Sequence, residues 1–236
     1  MRRFDFVLFD ADNTLFDYDR AEGFALESLL KERGVELGPD VHDTYRRINA
    51  EYWRRYEQGE VTQDELRVGR FAEFAKAVGV EADAAGLSER YLEFLASAGF
   101  LIQGAEQIVA ALAEAEVTLG LITNGIEEVQ RGRLSRSPLA DAFVSVTISG
   151  EVGSKKPDRR IFEIAFQRSG NPEKDRSIIV GDSLSSDIAG GHNFGIATCW
   201  FNPSGARIRE DLVSSGRTPD YVVSDLGELR EVVGLT

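Results

Sequence analysis

Four short stretches of this chain carry residues able to move a phosphoryl group. Asp10 and Asp12 stand two apart in Asp10-Ala11-Asp12-Asn13-Thr14, directly after the apolar run Phe4–Phe9. Thr123 and Asn124 follow a second apolar run, Val117–Ile122. Lys155 and Lys156 precede Pro157, and Asp182 follows the run Ser177–Val180, with Asp187 five residues on. Carboxylates gathered this densely repel one another unless a cation lies between them. A hard divalent ion with oxygen ligands, Mg²⁺, is the natural occupant, and Mn²⁺ or Co²⁺ accept the same ligands. A lysine ammonium supplies a point charge for a phosphate oxygen, and a threonine hydroxyl can donate to another. An aspartate can attack phosphorus and form an aspartyl-phosphate. A second carboxyl nearby can protonate the departing oxygen and then activate water.

For these groups to meet, the apolar runs must be neighbouring strands of one sheet. The pattern supports this. From Gln103 onward, helices alternate with short apolar strands: helix Ala105–Glu114 and strand Val117–Ile122, helix Glu127–Arg136 and strand Phe143–Ile148, helix Arg160–Arg168 and strand Ser177–Val180, helix Leu184–Phe194 and strand Ile196–Phe201, then strand Tyr221–Val223 and helix Leu226–Val233. This βαβα order predicts an α/β fold with a doubly wound parallel sheet, Rossmann-like, whose ligands bind outside the carboxyl ends of the strands. Between the first strand and this region, residues from Tyr18 to Ala98 read as helices throughout, with Thr62 and Glu65 spaced as a capping box and Gly34, Gly59 and Gly79 at helix ends. The expected division is therefore residues 1–16 and 100–236 as the α/β core and 17–99 as an inserted all-helical cap. The loop Asn202–Arg217 reads as the most flexible segment.

Composition narrows the partners. Of the 236 residues, 42% are hydrophobic and 28% charged, enough apolar material for a folded core. Lys and Arg number 27 against 40 Asp and Glu, a net charge of −13. A basic footprint for nucleic-acid polymers is absent. No apolar run approaches the length of a membrane span, and the stretch behind Arg2-Arg3 is too short for a signal peptide, so the expected compartment is cytoplasmic. The single cysteine, Cys199, excludes an internal disulfide. The expected partner is a small phosphorylated metabolite, with the chain a monomer or weak homo-oligomer.

Simpler readings of single motifs were weighed. An EF-hand beginning at Asp10 would need Gly and Glu where Leu15 and Ala21 stand, so a calcium loop fails. No GxGxxG or Walker A sequence is present, which disfavours a dinucleotide enzyme or a P-loop NTPase. Trp53 reads as cap core rather than as a base-stacking platform, although Trp53 and Tyr56 are spaced for either. Arg67 and Arg70 fit a solvated face or the cleft equally well. Cys199 and Trp200 read as core, and His42 and His192 have no catalytic partner pattern.

Taken together, DADNTLFD, the ITNG after the second strand, the KKPD segment and GDSLSSDI resemble the four motifs of the haloacid-dehalogenase-like (HAD) hydrolase superfamily, over the whole chain and with a helical insertion in the matching place. The resemblance implies Asp10 as nucleophile, Asp12 as general acid and base, and Thr123, Asn124 and Lys156 on the transferring phosphoryl group, with Lys155 solvated because the family's lysine directly precedes the proline. It implies Mg²⁺ on Asp10, on the Asp12 backbone carbonyl and on Asp182, with Asp187 and Thr14 supporting the site from behind. The stretches YWRRYEQGEVTQDELRVGRF, ISGEVGSKKPDRRIFEIA and SDIAGGHNFGIATCWFN further resemble the house-cleaning pyrimidine 5′-nucleotidases. That implies a Mg²⁺-dependent phosphomonoesterase acting on pyrimidine nucleoside 5′-monophosphates. The alternatives are a phosphatase of phosphoglycolate, a sugar phosphate or acylneuraminate 9-phosphate, or a 2-haloacid dehalogenase. Dehalogenation needs neither an acid for an alcohol leaving group nor a metal, so Asp12 and Asp182 speak against it.

Overall fold

The computed structural model describes residues 2–34, 38–80, 83–207 and 218–235. Six strands form one parallel sheet: β1 (Phe6–Phe9), β2 (Thr118–Thr123), β3 (Ser145–Ile148), β4 (Ser177–Gly181), β5 (Ala197–Phe201) and β6 (Tyr221–Val223), in the order β3-β2-β1-β4-β5-β6. The order reverses direction between β1 and β4. At such a switch point the connections leave on opposite sides and open a crevice at the carboxyl ends. Both faces of β1 are fully buried, because alternate side chains feed two different cores. Val7 and Phe9 join Leu119, Leu121 and Val180 under helix α5 (Ala105–Glu114). Phe6 and Leu8 join Ile122 and Ile179 against Phe162 and Phe166 of helix α8 (Arg159–Arg168).

Helices α1 (Tyr18–Glu32), α2 (Pro39–Glu57), α3 (Gln63–Ala77) and α4 (Ala84–Ser97) build a third apolar cluster. Tyr45, Phe71, Phe74 and Tyr91 lie at its centre, with Tyr45–Phe74 edge to face at 5.3 Å between ring centroids. The cluster also takes in Ile126 and Val129 at the start of helix α6 (Glu127–Ser135), which follows β2. The capping box is present: the Thr62 hydroxyl accepts from the Glu65 N–H at 3.2 Å, and the Glu65 carboxylate accepts from the Thr62 N–H at 2.8 Å. Gly34, Gly59 and Gly79 have φ of 69°, 75° and 69°, the left-handed turn that ends a helix.

Some elements differ from the sequence reading. The apolar run Phe143–Ile148 yields a strand only from Ser145, since Val144 is 60% exposed. The span read as one helix, Leu184–Phe194, is a wide π-type turn, Leu184–Ile188, followed by α9 (Ala189–Phe194). The Asp187 carboxylate accepts from the Ser183 N–H and the Ser183 hydroxyl accepts from the Ser186 N–H, so side chains set the winding there. The last helix likewise divides into a 3₁₀ turn, Leu226–Glu228, and α10 (Leu229–Val233). A short α7 (Ser149–Val152) follows β3. Most of the loop read as flexible, residues 208–217, lies outside the described residues.

Replacing Thr62 by Ala removes one half of the capping box at an exposed helix start. The expected cost is about 1 kcal/mol, or roughly 2–4 °C in thermal midpoint for a chain of this size. Thermal melts of the two proteins check this, and an unchanged midpoint would show that the box contributes nothing.

Candidate active site

The carboxyl ends of β1, β2 and β4 place their side chains around one cleft of about 290 Å³, whose walls include Asp10, Asp12, Thr123, Lys156, Asp182 and Asp187. Asp10 follows β1 directly and its N–H donates to the Val180 carbonyl of β4 at 2.9 Å, so the strand ladder fixes its backbone. The side chain is 5% exposed. Its Oδ1 accepts from Lys156 Nζ at 2.5 Å and its Oδ2 from the Thr14 hydroxyl at 3.2 Å.

Lys156 is 2% exposed, and its ammonium also donates to Asp187 Oδ1 at 2.6 Å and to the Ile122 carbonyl at 3.1 Å. All three of its N–H bonds are thus committed to protein acceptors. Its effect on a phosphate in the cleft is that of a fixed positive charge. Burial alone would lower the Lys156 pKa, but Asp10 and Asp187 more than offset this and hold it above the ordinary lysine value. The Lys156 loop is held in turn by Asn124. The Asn124 Nδ2 donates to the Lys156 carbonyl at 2.9 Å, and its Oδ1 accepts from the Lys156 N–H at 2.8 Å. The amide of Asn124 is therefore engaged with backbone rather than pointed at the cleft. Thr123 is 1% exposed and accepts from the Gly125 N–H at 3.0 Å. Its own hydroxyl proton has no acceptor among the described residues and is free for a ligand.

Asp10, Asp182 and Asp187 each offer a carboxylate oxygen, and these lie within 4.8 Å of one another. Burial, with Lys156 pulling down and Asp187 pushing up, raises the Asp10 carboxyl to about 7. Burial and the neighbouring Asp10 and Asp187 raise Asp182 to about 8. Three crowded carboxyl oxygen donors, two of them on groups that resist ionisation, fit a hard divalent cation. Gly181 permits the crowding, since a Cβ there would lie 2.6 Å from the Asp187 Cβ. Trp200, read as core from the sequence, is buried and also donates its indole N–H to the Asp182 carbonyl at 2.8 Å.

Asp12 stands apart from this cluster. Its Oδ1 is paired with the Arg133 guanidinium, and its Oδ2 accepts from the Gln130 amide at 2.6 Å. Neither Gln130 nor Arg133 was singled out in the sequence. The segment EEVQRGRLS reads as a solvated polar helix, and only its i, i+3 spacing hints that the two side chains share a face.

Tyr18 and Trp53 close the open side of the cleft, together with Glu57. Trp53 also packs on the helical cluster, so its core and cleft readings hold together. Lys155 departs from the sequence reading. Its ammonium donates to the Tyr56 carbonyl and sits 4.0 Å from the Tyr56 ring centre, because the C-terminal end of α2 offers it a carbonyl acceptor, shared with the Gly59 N–H, and an aromatic face. Arg67 pairs with Glu128 across α3 and α6, whereas Arg70 is buried and donates to Asn49 at 2.7 Å. His192 contacts the Thr218 carbonyl, away from the cleft.

A parallel sheet with carboxylates at the ends of β1 and β4 and a buried lysine between them is the framework of one hydrolase class. The chain belongs to the haloacid dehalogenase-like hydrolases, whose family model matches residues 7–201. It is an enzyme of that family. YjjG, a pyrimidine 5′-nucleotidase of Escherichia coli (strain K12), is 36% identical over 231 residues, 98% of each chain. PynA, a pyrimidine 5′-nucleotidase of Streptococcus pneumoniae (strain ATCC BAA-255 / R6), is 38% identical over 200 residues, 85% of this chain and 84% of that one. The crystal structure of YfnB from Bacillus subtilis, bound to magnesium, has a TM-score of 0.91 at 33% identity and covers 99% of this chain and 100% of that chain. Among the described residues, no helix is long and apolar enough to cross a membrane.

The raised carboxyls set a pH test. Without metal, the folded state keeps protons on Asp10 and Asp182 that the unfolded chain gives up near pH 4, so stability falls as pH rises from about 4 through 8. A divalent cation competes with those protons. The rise in thermal midpoint on adding Mg²⁺ to chelator-treated protein should therefore be larger near pH 8.5 than near about pH 5.5. An increment independent of pH would contradict a cation site on these carboxylates.

Proposed function

We propose that this chain hydrolyses phosphate monoesters through an aspartyl-phosphate on Asp10, with pyrimidine nucleoside 5′-monophosphates as substrates and Mg²⁺ as cofactor. The observation that carries this reading is the different setting of two aspartates only two residues apart. Asp10 lies against Lys156 in the acidic cluster, and Asp12 is turned from it onto Gln130 and Arg133. This difference supports one as the attacking group and the other as the group that exchanges a proton.

Asp10, Asp182 and the Asp12 backbone carbonyl would hold the ion, with Asp187 close enough to join them and Thr14 steadying Asp10. Bound there, Mg²⁺ would neutralise the carboxylates and draw charge from the phosphate oxygens as a Lewis acid. An Asp10 oxygen attacks phosphorus in line. The bond from phosphorus to the ester oxygen breaks, and Asp12 gives that oxygen its proton, releasing the alcohol. Water then attacks the aspartyl-phosphate and passes a proton to Asp12, the bond to Asp10 breaks, and phosphate leaves. Lys156 holds a fixed positive charge beside the phosphoryl oxygens, and the Thr123 hydroxyl donates to one of them. Asn124 acts on the phosphoryl group through the Lys156 loop that it clamps.

The substrate class rests on YjjG and PynA, both pyrimidine 5′-nucleotidases similar over most of their length. Residues 17–99 are proposed as a cap over a core of 1–16 and 100–236, supported by the separate apolar cluster of α1–α4. The cap wall offers a flat indole, Trp53, and the polar groups of Tyr18 and Glu57, which suits an aromatic, hydroxylated leaving group.

The test is phosphate release from dUMP, UMP, dTMP, AMP, phosphoglycolate, glucose 6-phosphate and sialic acid 9-phosphate, with Mg²⁺ present and then chelated. Metal-dependent release strongest on the pyrimidine monophosphates is expected. Release confined to the sugar or glycolate esters would overturn the substrate class while keeping the chemistry. Asp10→Asn should lower turnover by roughly 10³-fold or more, as loss of a nucleophile does, with the thermal midpoint retained. Retained activity would remove Asp10 from the reaction.

A further inference from the structure

Asp12 is the one cleft carboxylate whose two oxygens are both held by a single helix. Gln130 and Arg133 lie three residues apart on α6, so they present to the same side. The Gln130 Nε2 donates to Oδ2 at 2.6 Å, and the Arg133 Nη2 to Oδ1. Both donors are deeply buried, Gln130 at 3% and Arg133 at 0% exposure, whereas the Asp12 side chain itself is 26% exposed, toward the cleft. The donors' own surroundings fix them. The Arg133 guanidinium lies 5.4 Å from the centre of the Phe16 ring. Gln130 reaches Asp12 by passing over Gly125, where a Cβ would come 2.8 Å from the Gln130 Cδ and block the path. Gly125 follows Thr123 and Asn124, so the same turn that carries the proposed phosphate-binding threonine leaves room for this reach.

The carboxyl torsion of an aspartate is broad and nearly two-fold, so a free Asp12 would swing. Held at both oxygens, it keeps one orientation, with one lone pair on each oxygen left over for the cleft. A misplacement of about 1 Å in a reacting group can cost on the order of 10²-fold in rate. We infer that Gln130 and Arg133 are positioning residues for the proton transfer by Asp12, holding its carboxyl plane toward the ester oxygen that departs. This rests on the reading of Asp12 as the general acid. The balance is that of the proposed first step: the Asp10 oxygen–phosphorus bond forms, the phosphorus–ester oxygen bond breaks, and the Asp12 proton goes to that oxygen.

The distinguishing readout is the leaving group. An alkyl ester departs as a poor leaving group and needs the proton, whereas p-nitrophenolate departs without one. The experiment compares the first turnover of dUMP and glycerol phosphate with that of p-nitrophenyl phosphate, in Mg²⁺. The proteins are the wild type, Gln130→Leu, Arg133→Lys and Asp12→Asn. Gln130→Leu keeps most of the buried volume and removes the donor. Arg133→Lys keeps the charge and replaces the planar Nη2 donor by a shorter, freely rotating ammonium.

In Gln130→Leu the ratio of alkyl to aryl first-turnover rates should fall by about tenfold or more. Asp12→Asn should lower it further, and Arg133→Lys should lie between wild type and Gln130→Leu. KM for the aryl ester should stay within about threefold of wild type, since the phosphate site is untouched. An equal fall for both ester types in Gln130→Leu and Arg133→Lys, or no fall in either, would overturn the inference. A wild-type ratio that Asp12→Asn leaves unaltered would instead overturn the reading of Asp12 as the acid. The two failures are therefore separable.

Discussion

The site is organised around one buried ammonium shared by two buried carboxylates. Lys156 lies between Asp10 and Asp187, and all three side chains are almost wholly excluded from water. A lone charge at such depth costs several kcal/mol, so none of the three could stand there without the others. Asp182 adds a further carboxyl at the edge of this group and, among the described residues, has no ion-pair partner of its own. The cluster is thus over-supplied with carboxylate and asks for a second cation. That imbalance is created by the fold, because β1 and β4 are hydrogen-bonded neighbours whose ends must come together.

Other features follow from keeping that arrangement in place. The Lys156 loop cannot rely on a strand, so the Asn124 amide clamps its backbone from the turn after β2. Asp187 reaches Lys156 from a wide π-type turn, lying close against β4 where Gly181 leaves room for it. The Trp200 indole spans from β5 to the Asp182 carbonyl, tying a third strand to the same point. The Asn124 and Trp200 devices are polar contacts to backbone, which hold geometry without adding charge.

Much of this was legible in the sequence, and the limits were physical. Strands β1, β2, β4 and β5 announced themselves as apolar runs, since a parallel sheet covered on both faces leaves no polar alternation to confuse the reading. The helix ends were marked by Gly34, Gly59, Gly79 and the Thr62–Glu65 box, all local signals. Asp10 and Asp182 are legible because each sits one residue beyond a strand end, where topology brings them together, whereas Lys156 and Asp187 lie well past theirs and are legible by their place before Pro157 and after Asp182. Gln130 and Arg133 escaped notice because their burial is a property of packing. Arg133 lies on a helix that looks solvated from its composition, yet it is fully enclosed by Phe16 and the α4–α6 contact. Lys155 was misread for a related reason: its partner, the Tyr56 carbonyl, is ninety-nine residues away in sequence.

Helix α6 joins the two halves of the problem. Its first turn gives Ile126 and Val129 to the apolar cluster of α1–α4, and its next turn gives Gln130 and Arg133 to Asp12. Arg67 on α3 meets Glu128 on the same helix. A polar chain within the helical cluster reaches the cleft as well. Asn49 donates to Glu22 at 2.7 Å and to the Tyr18 hydroxyl at 3.1 Å, and accepts from Arg70 at 2.7 Å. Tyr18 then stands on the cleft wall with Trp53. The wall facing a leaving group and the donors facing Asp12 are therefore set by one continuous packing unit. Shifting α1–α4 against the sheet would move Tyr18 and Trp53 and would disturb Ile126 and Val129 on α6. The Asp10–Lys156–Asp187 group is itself tied to that unit, because Lys155, the neighbour of Lys156, donates to the Tyr56 carbonyl at the end of α2.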